Sequence, residues 1–305
     1  NDRGVYGHNT LTINGCTLRV TSSNYIPVSA GNFIMNTGSE LYAESTYTGT
    51  TYSYEPLEAN SVTINGGVLN LTAAPKYGDA LSVTNDLTIK AGTVTINSPK
   101  GKGISISNGN MTVLGGVVEI NVGDDGIYLG SGYLDIQGGD VTVTAAHDCI
   151  HLATSRLNMR GGFLSLGSTD IDNDSSYRAL RVNGTSSNYY NVASSLSQSA
   201  NSAYTTEVME KLNPSNLSSY DRILIGDFVI VCGKVVKSGY SADSSGVYSG
   251  DKGAGYAYYN NGILTLDQYR HIDSNNRGIQ AYSDLTVRVI GDSNSYITLT
   301  NNRYA

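Results

Sequence analysis

Apolar residues recur along this chain at one interval. Leu81, Ile104, Ile127 and Ile150 stand 23 residues apart, and Val83, Ile106, Leu129 and Leu152 keep the same step. A second pair, Leu87/Ile89, returns as Met111/Val113, Leu134/Ile136 and Leu157/Met159. A third, Val94/Ile96, returns as Val118/Ile120, Val141/Val143 and Leu164/Leu166. Within each pair one residue separates the two, the alternation that puts both on the same face of a strand. Three short strands per repeat, divided by Gly, Asn, Ser or Asp, predict an all-β stacked repeat: a right-handed parallel β-helix with rungs of about 23 residues.

Regular rungs are read at 1–23, 24–45, 55–75, 76–99, 100–123, 124–146 and 147–169, with 46–54 as a loop between two strands. After Gly167 the pattern breaks. Val192, Leu196 and Ala200 are four apart, as are Val208 and Leu212, and Pro214 follows. That spacing predicts helical segments in an insertion over 170–222, packed on the solenoid. A strand is expected through Phe228–Val236, then looser rungs at about 253–275 and 276–302. The chain thus reads as rungs over 1–169, the insertion, and rungs resumed over 223–305, in one continuous domain. Asn1-Asp2-Arg3-Gly4-Val5 resembles Asn275-Asn276-Arg277-Gly278-Ile279, so the chain starts and finishes at nearly the same phase of the repeat. We read this as either a leader or neighbouring domains removed, or solenoid ends that associate end to end.

Composition narrows the function. Net charge is −7 with no basic cluster, which argues against nucleic acid as a partner. No apolar run reaches about 18 residues, so no membrane insertion is expected. Few charges and much Ser, Thr, Asn and Tyr suit a secreted or cell-surface protein. Three cysteines match neither a disulfide framework nor a zinc site. Cys16 and Cys149 stand where other rungs have glycine, which predicts small buried or turn-lining thiols.

The turn before the first strand of each rung is polar: Tyr77-Gly78-Asp79, Gly101-Lys102-Gly103, Asp124-Asp125-Gly126 and His147-Asp148-Cys149. Stacking would bring Asp125 and Asp148 within about 4.8 Å. A bound cation relieves like charges at that range, and calcium, which takes several hard oxygen ligands, suits Asp124, Asp125 and Asp148. A solvated Asp-Gly turn is the alternative. Asp170, Asp172 and Asp174 open like a calcium loop, although the expected acid near position twelve is Arg181. His147 and His151 have a metal-like spacing. However, His151 falls in the outward column Ser82, Ser105, Tyr128, His151 and is read as a surface ladder.

The chain has 23 Tyr, three Phe and no Trp. A tyrosine offers a flat apolar face and a hydroxyl to a sugar. Tyr47, Tyr52 and Tyr54, Tyr189 and Tyr190, and Tyr258 and Tyr259 are the candidate carbohydrate contacts. A lyase would need a basic residue, for which Lys100, Lys102, Arg156 and Arg160 are candidates, but no constellation stands out from the repeat.

Rungs 76–169, with Asp-Asp-Gly-Ile at 124–127, Leu-Thr-Ile-x-x-Gly-Thr-Val-Thr-Ile at 87–96 and Leu-Asp-Ile-Gln-Gly-Gly-Asp-Val-Thr-Val at 134–143, resemble secreted bacterial β-helical carbohydrate-binding domains. The segments at 261–266 and 277–287 resemble repeats in surface proteins of Gram-positive anaerobes. The resemblance implies a calcium-containing binder of plant polysaccharide. Asp124 and Asp125 match its acidic turn in full and Asp79 and Asp148 in half, while Lys102 and Arg3 replace acids. The expectation is a non-catalytic, calcium-stabilised polysaccharide-binding or adhesion module. A filament subunit built by end-on stacking comes second and a calcium-dependent polysaccharide lyase third.

Overall fold

A computed structural model describes residues 3–49, 51–76, 78–169, 178–182, 190–192, 197–200, 210–211, 220–273, 278–281, 284–291 and 295–299. They fall into two compact units, one built mainly from 1–193 and the other mainly from 225–305. Asp170, Asp172, Asp174 and Tyr189 lie outside the described residues.

The first unit is a parallel β-solenoid. Strands Leu81–Val83, Ile104–Ile106, Ile127–Leu129, Ile150–Leu152 and Leu180–Val182 stack in register as its first face. Leu87–Ile89, Met111–Val113, Tyr133–Ile136 and Arg156–Met159 form the second. The third runs from Thr17–Ser22 through Glu40–Ser45, Val68–Thr72, Thr93–Ser98, Val117–Val122 and Asp140–Ala145 to Phe163–Ser168. The first three rungs differ. There, single long strands, Arg3–Ile13, Ile26–Met35 and Leu57–Ile64, cover both the first and second faces. Leu57–Ile64 then pairs with Leu81–Val83 at one end and with Leu87–Ile89 at the other, so a corner opens in every later rung.

Alternation explains the core. The predicted apolar columns all point inward, and Leu57, Leu81, Ile104, Ile127, Ile150 and Leu180 are buried one above another. Filling the interior from three sides, at roughly 1.5–3 kcal/mol per fully buried aliphatic side chain, is what stabilises a stack with so few charges. The corner between the second and third faces is held by glycine. Gly67, Gly92, Gly116, Gly139 and Gly162 all have φ between 77° and 93°. A Cβ on Gly139 would stand 2.7 Å from the carbonyl oxygen of Gly116, and one on Gly162 2.5 Å from that of Gly139. Both the left-handed backbone and the close approach exclude a side chain.

Two expectations meet a different arrangement. Val192 and Ala200, predicted helical, lie in strands Tyr190–Val192 and Ser197–Ala200, and no helix occurs among the described residues. Leu196, Val208, Leu212 and Pro214 lie outside them. The run expected as one strand through Phe228–Val236 instead reverses. Phe228–Val231 pairs antiparallel with Lys234–Lys237 around Cys232 (φ 47°) and Gly233 (φ 78°). Two consecutive left-handed residues make the tight hairpin turn whose twist matches its strands.

The second unit contains this hairpin and a sheet ordered Val247–Ser249, Tyr240–Ala242, Tyr256–Asn260, Ile263–Asp267, Thr286–Ile290. Parallel stacking returns in the expected looser rungs, where Ile263 pairs with Thr286 and Arg270 with Tyr296. Val229, Val231, Val236, Ala257, Tyr259, Leu264 and Tyr269 fill its core.

Gly139→Ala, which meets both the φ penalty and the carbonyl contact, should destabilise the protein by ~2 kcal/mol or more. The same change at Gly167, where a Cβ meets nothing within 4 Å, should be close to neutral. Chemical denaturation of both variants checks the difference, and equal losses would refute the glycine-corner account.

Candidate functional site

In-register stacking turns a spacing of 23 residues into contact. Two residues before each first-face strand stand Asp79, Lys102, Asp125, Asp148 and Arg178, one column of mixed charge. The acids in it stitch rungs together through the backbone. Asp79 Oδ1 accepts the Lys102 N–H (2.9 Å), Asp125 Oδ1 that of Asp148 (3.3 Å) and Asp148 Oδ1 that of Arg178 (2.8 Å). Lys102 has no such oxygen to offer the rung above. There the Asp125 N–H is taken by Asp124 Oδ1 at 2.8 Å, the next carboxylate along the turn. Corner N–H groups that no strand satisfies are costly to bury, which is why an acidic side chain recurs at this position.

The structure brings Asp124, Asp125 and Asp148 together as the sequence predicts, and adds both histidines. His147 Nδ1 lies 2.7 Å from Asp124 Oδ1, and His151 Nδ1 lies 3.0 Å from Asp125 Oδ2 and 3.7 Å from Asp148 Oδ2. Lys102 Nζ is 3.6 Å from Asp124 Oδ2, and Arg181 Nη1 is 3.5 Å from Asp148 Oδ2. His151 does sit in an outward column, with its ring edge-on to Tyr128. An outward position beside a turn nonetheless reaches the carboxylates of that turn and of the rung before. The legible signal was the spacing of His151 three residues after Asp148 and 26 after Asp125.

Asp148 is fully buried. Burial and the neighbouring Asp125 push its carboxyl up to about 6, against the Arg178 N–H, His151 and Arg181. Burial lowers Lys102, but Asp79, Asp124 and Asp125 outweigh it and the ammonium ends above its usual value. Burial also pushes the Cys149 thiol up to about 12, leaving it a neutral packing group.

The donor set can be tested against calcium. Two groups, Asp124/Asp125/His147 and Asp125/Asp148/His151, each gather three potential ligand atoms within 4.8 Å. Yet all six carboxylate oxygens face a backbone N–H, an imidazole nitrogen, Lys102 or Arg181. Calcium takes 6–8 oxygen ligands and repels cations. As arranged, this turn does not fit it. Its carboxylate oxygens are already engaged by the chain's own nitrogens.

The tyrosines divide. Tyr47 and Tyr52 both pack on Tyr54, with centroids at 4.9 and 5.8 Å. Tyr25, outside the predicted clusters, joins them at 6.4 Å from Tyr54. Tyr25 and Tyr52 remain 44% and 60% exposed. Tyr258 is half-buried on its strand. Tyr190 lies on a second-face strand paired with Leu157. Tyr259 corrects an expectation. Only 1% exposed, it is a core residue whose hydroxyl donates to Asp227, and strand alternation opposite Tyr258 dictates this. Among the lyase candidates, Lys102 is engaged by Asp124, and Arg160 holds buried Asp135 through Nε (3.0 Å) and Nη2.

Asp148 titrates higher folded than unfolded. Its contribution is therefore full below about pH 4 and lost as pH rises through about 6, on the order of 3 kcal/mol. Asp148→Asn, which keeps an oxygen for the Arg178 N–H, should flatten this slope in thermal unfolding between pH 4 and 7. An unchanged slope would show that another group carries it. In wild type, a calcium chelator should leave the melting temperature within 1–2 °C, since an ion that binds only the folded state raises it by mass action.

Comparison with known proteins gives no match among curated proteins and none among solved structures. A family model described as carbohydrate-binding domain-containing protein matches residues 59–227, more than half of the chain. That span takes in the solenoid rungs from Ala59 onward, with the acidic turns at Asp79, Asp124, Asp125 and Asp148. By that match this chain belongs to the carbohydrate-binding domain-containing family.

Proposed function

We propose that the chain is the non-catalytic, polysaccharide-binding module of a secreted or cell-surface protein. The observation that carries this, beyond the family, is the Tyr25/Tyr47/Tyr52/Tyr54 cluster. Four rings converge where the loop at 46–54 leaves the regular rungs, and two are exposed although packing the solenoid requires neither. Their faces offer C–H contact and their hydroxyls hydrogen bonds, the combination a sugar ring uses.

The charged groups support binding over catalysis. General acid–base work needs a carboxyl or base that is free to reach a substrate proton. Asp79, Asp125 and Asp148 each bind a backbone N–H of the next rung, and Arg160 is committed to Asp135. Asp135 itself is held below the usual carboxylate range: burial raises it, but Arg160 and Gln137 outweigh that.

Tyr25→Ala with Tyr52→Ala should weaken retention on insoluble plant polysaccharide about tenfold, ~1.4 kcal/mol, without lowering the melting temperature. Depletion assays on washed polysaccharide read this directly. Wild-type protein that is not retained on any polysaccharide would overturn the proposal.

A further inference from the structure

The third face of the solenoid carries a groove that the sequence did not single out. It has a volume of about 330 Å³ and is lined by Thr95, Asn97, Glu119, Asn121, Thr142 and Thr144. These are the outward partners of the inward columns Val94/Ile96, Val118/Ile120 and Val141/Val143. In-register pairing aligns Thr95 with Glu119 and Thr142, and Asn97 with Asn121 and Thr144. The groove therefore crosses the strands, with each rung offering a pair of short polar side chains about 4.8 Å beyond the last.

Its two outward columns continue beyond it. Asn70 and Thr72 continue the two columns on one side, and Ser165 and Gly167 on the other. One rung past Asn70 the column reaches Tyr42, whose ring is stacked by the Arg19 guanidinium at 3.8 Å. A track of small polar groups with an aromatic ring at one end accommodates a linear polymer lying along the stack.

The chemistry selects among polymers. Threonine hydroxyls and asparagine amides both donate and accept, as sugar hydroxyls do. The charges on this face are mostly of one sign. Glu119 lines the groove, and Asp140 flanks it on the strand adjoining that of Glu119. Glu40 and Glu44 lie two rungs away on the same sheet, against Arg19 and Arg222 on its two sides. A chain of uronate sugars would be repelled there.

We propose that this groove is a glycan-binding track, and that it takes a linear, uncharged polysaccharide in preference to a polyuronate. The assignment rests on the polysaccharide-binding reading above. Repetition along the rungs supplies avidity, because each sugar bound places the next over an equivalent pair.

Affinity electrophoresis in gels containing either a soluble neutral β-glucan or polygalacturonate tests it. Wild type should be retarded by the neutral polymer and run freely in polygalacturonate. Thr142→Arg, which fills the groove, and Asn97→Ala/Asn121→Ala, which strips it of amides, should each weaken retardation about tenfold. Melting temperatures confirm that the variants are folded, and the alanine pair guards against misfolding of the arginine variant. If both folded variants keep wild-type retardation while Tyr25→Ala/Tyr52→Ala loses it, the groove assignment falls and the binding function stands. Retardation by polygalacturonate but not by glucan overturns the preference for uncharged chains. No retardation by either polymer, with no retention on insoluble polysaccharide, removes both.

Discussion

Fixed register between rungs is the constraint on which everything else in the first unit depends. Parallel strands satisfy their N–H and C=O groups only against the strand above and below. Each residue therefore meets its equivalents in the neighbouring rungs before it meets anything else. A column of the sequence becomes a column of contacts. Apolar columns make the core, a glycine column makes one corner, and columns of mixed polarity make the outer faces.

The same constraint sharpens the electrostatics. Identical charges in one column would sit about 4.8 Å apart, and the chain avoids long runs of them. Lys102 separates Asp79 from Asp125, and Arg178 follows Asp148. Only Asp125 and Asp148 stand adjacent, and it is there that His151 bridges the pair and one carboxyl is pushed up to about 6. Acidic turns that look like ion sites in sequence thus double as braces that satisfy corner N–H groups.

Where period-two alternation was regular, the fold was legible. The columns at Leu81, Leu87 and Val94 led directly to three faces. Two features blurred it elsewhere. Phe228-Val-Ile-Val-Cys-Gly-Lys-Val-Val236 has no polar break, so its apolar run concealed a hairpin whose turn uses Cys232 instead of the usual Asn or Asp. Val192, Leu196 and Ala200 had helical spacing, but a spacing of four also suits alternate positions of strands, and Val192 and Ala200 occur in strands. The site was half legible. The acidic column followed from spacing. The engagement of His147 and His151 and the joining of Tyr25 to Tyr54 depend on how a turn projects side chains across rungs, which periodicity does not encode. The polar groove was hidden for the opposite reason: Thr, Asn and Glu at outward positions look like any solvated strand until stacking aligns them.

The corners absorb length without disturbing the stack. Arg3 pairs with Ile26 at an interval of 23, yet Val28 pairs with Leu57 at 29 and Ile150 with Leu180 at 30, while the inward columns stay aligned. At the 46–54 corner the added residues reach outward and the next strand, Leu57–Ile64, resumes its place. The tyrosine loop lies at such a corner, and the threonine and asparagine groove lies on three strands of six residues each. Recognition in this architecture can therefore vary on two independent scales: abruptly, by what a corner admits, and gradually, by exchanging one outward residue per rung.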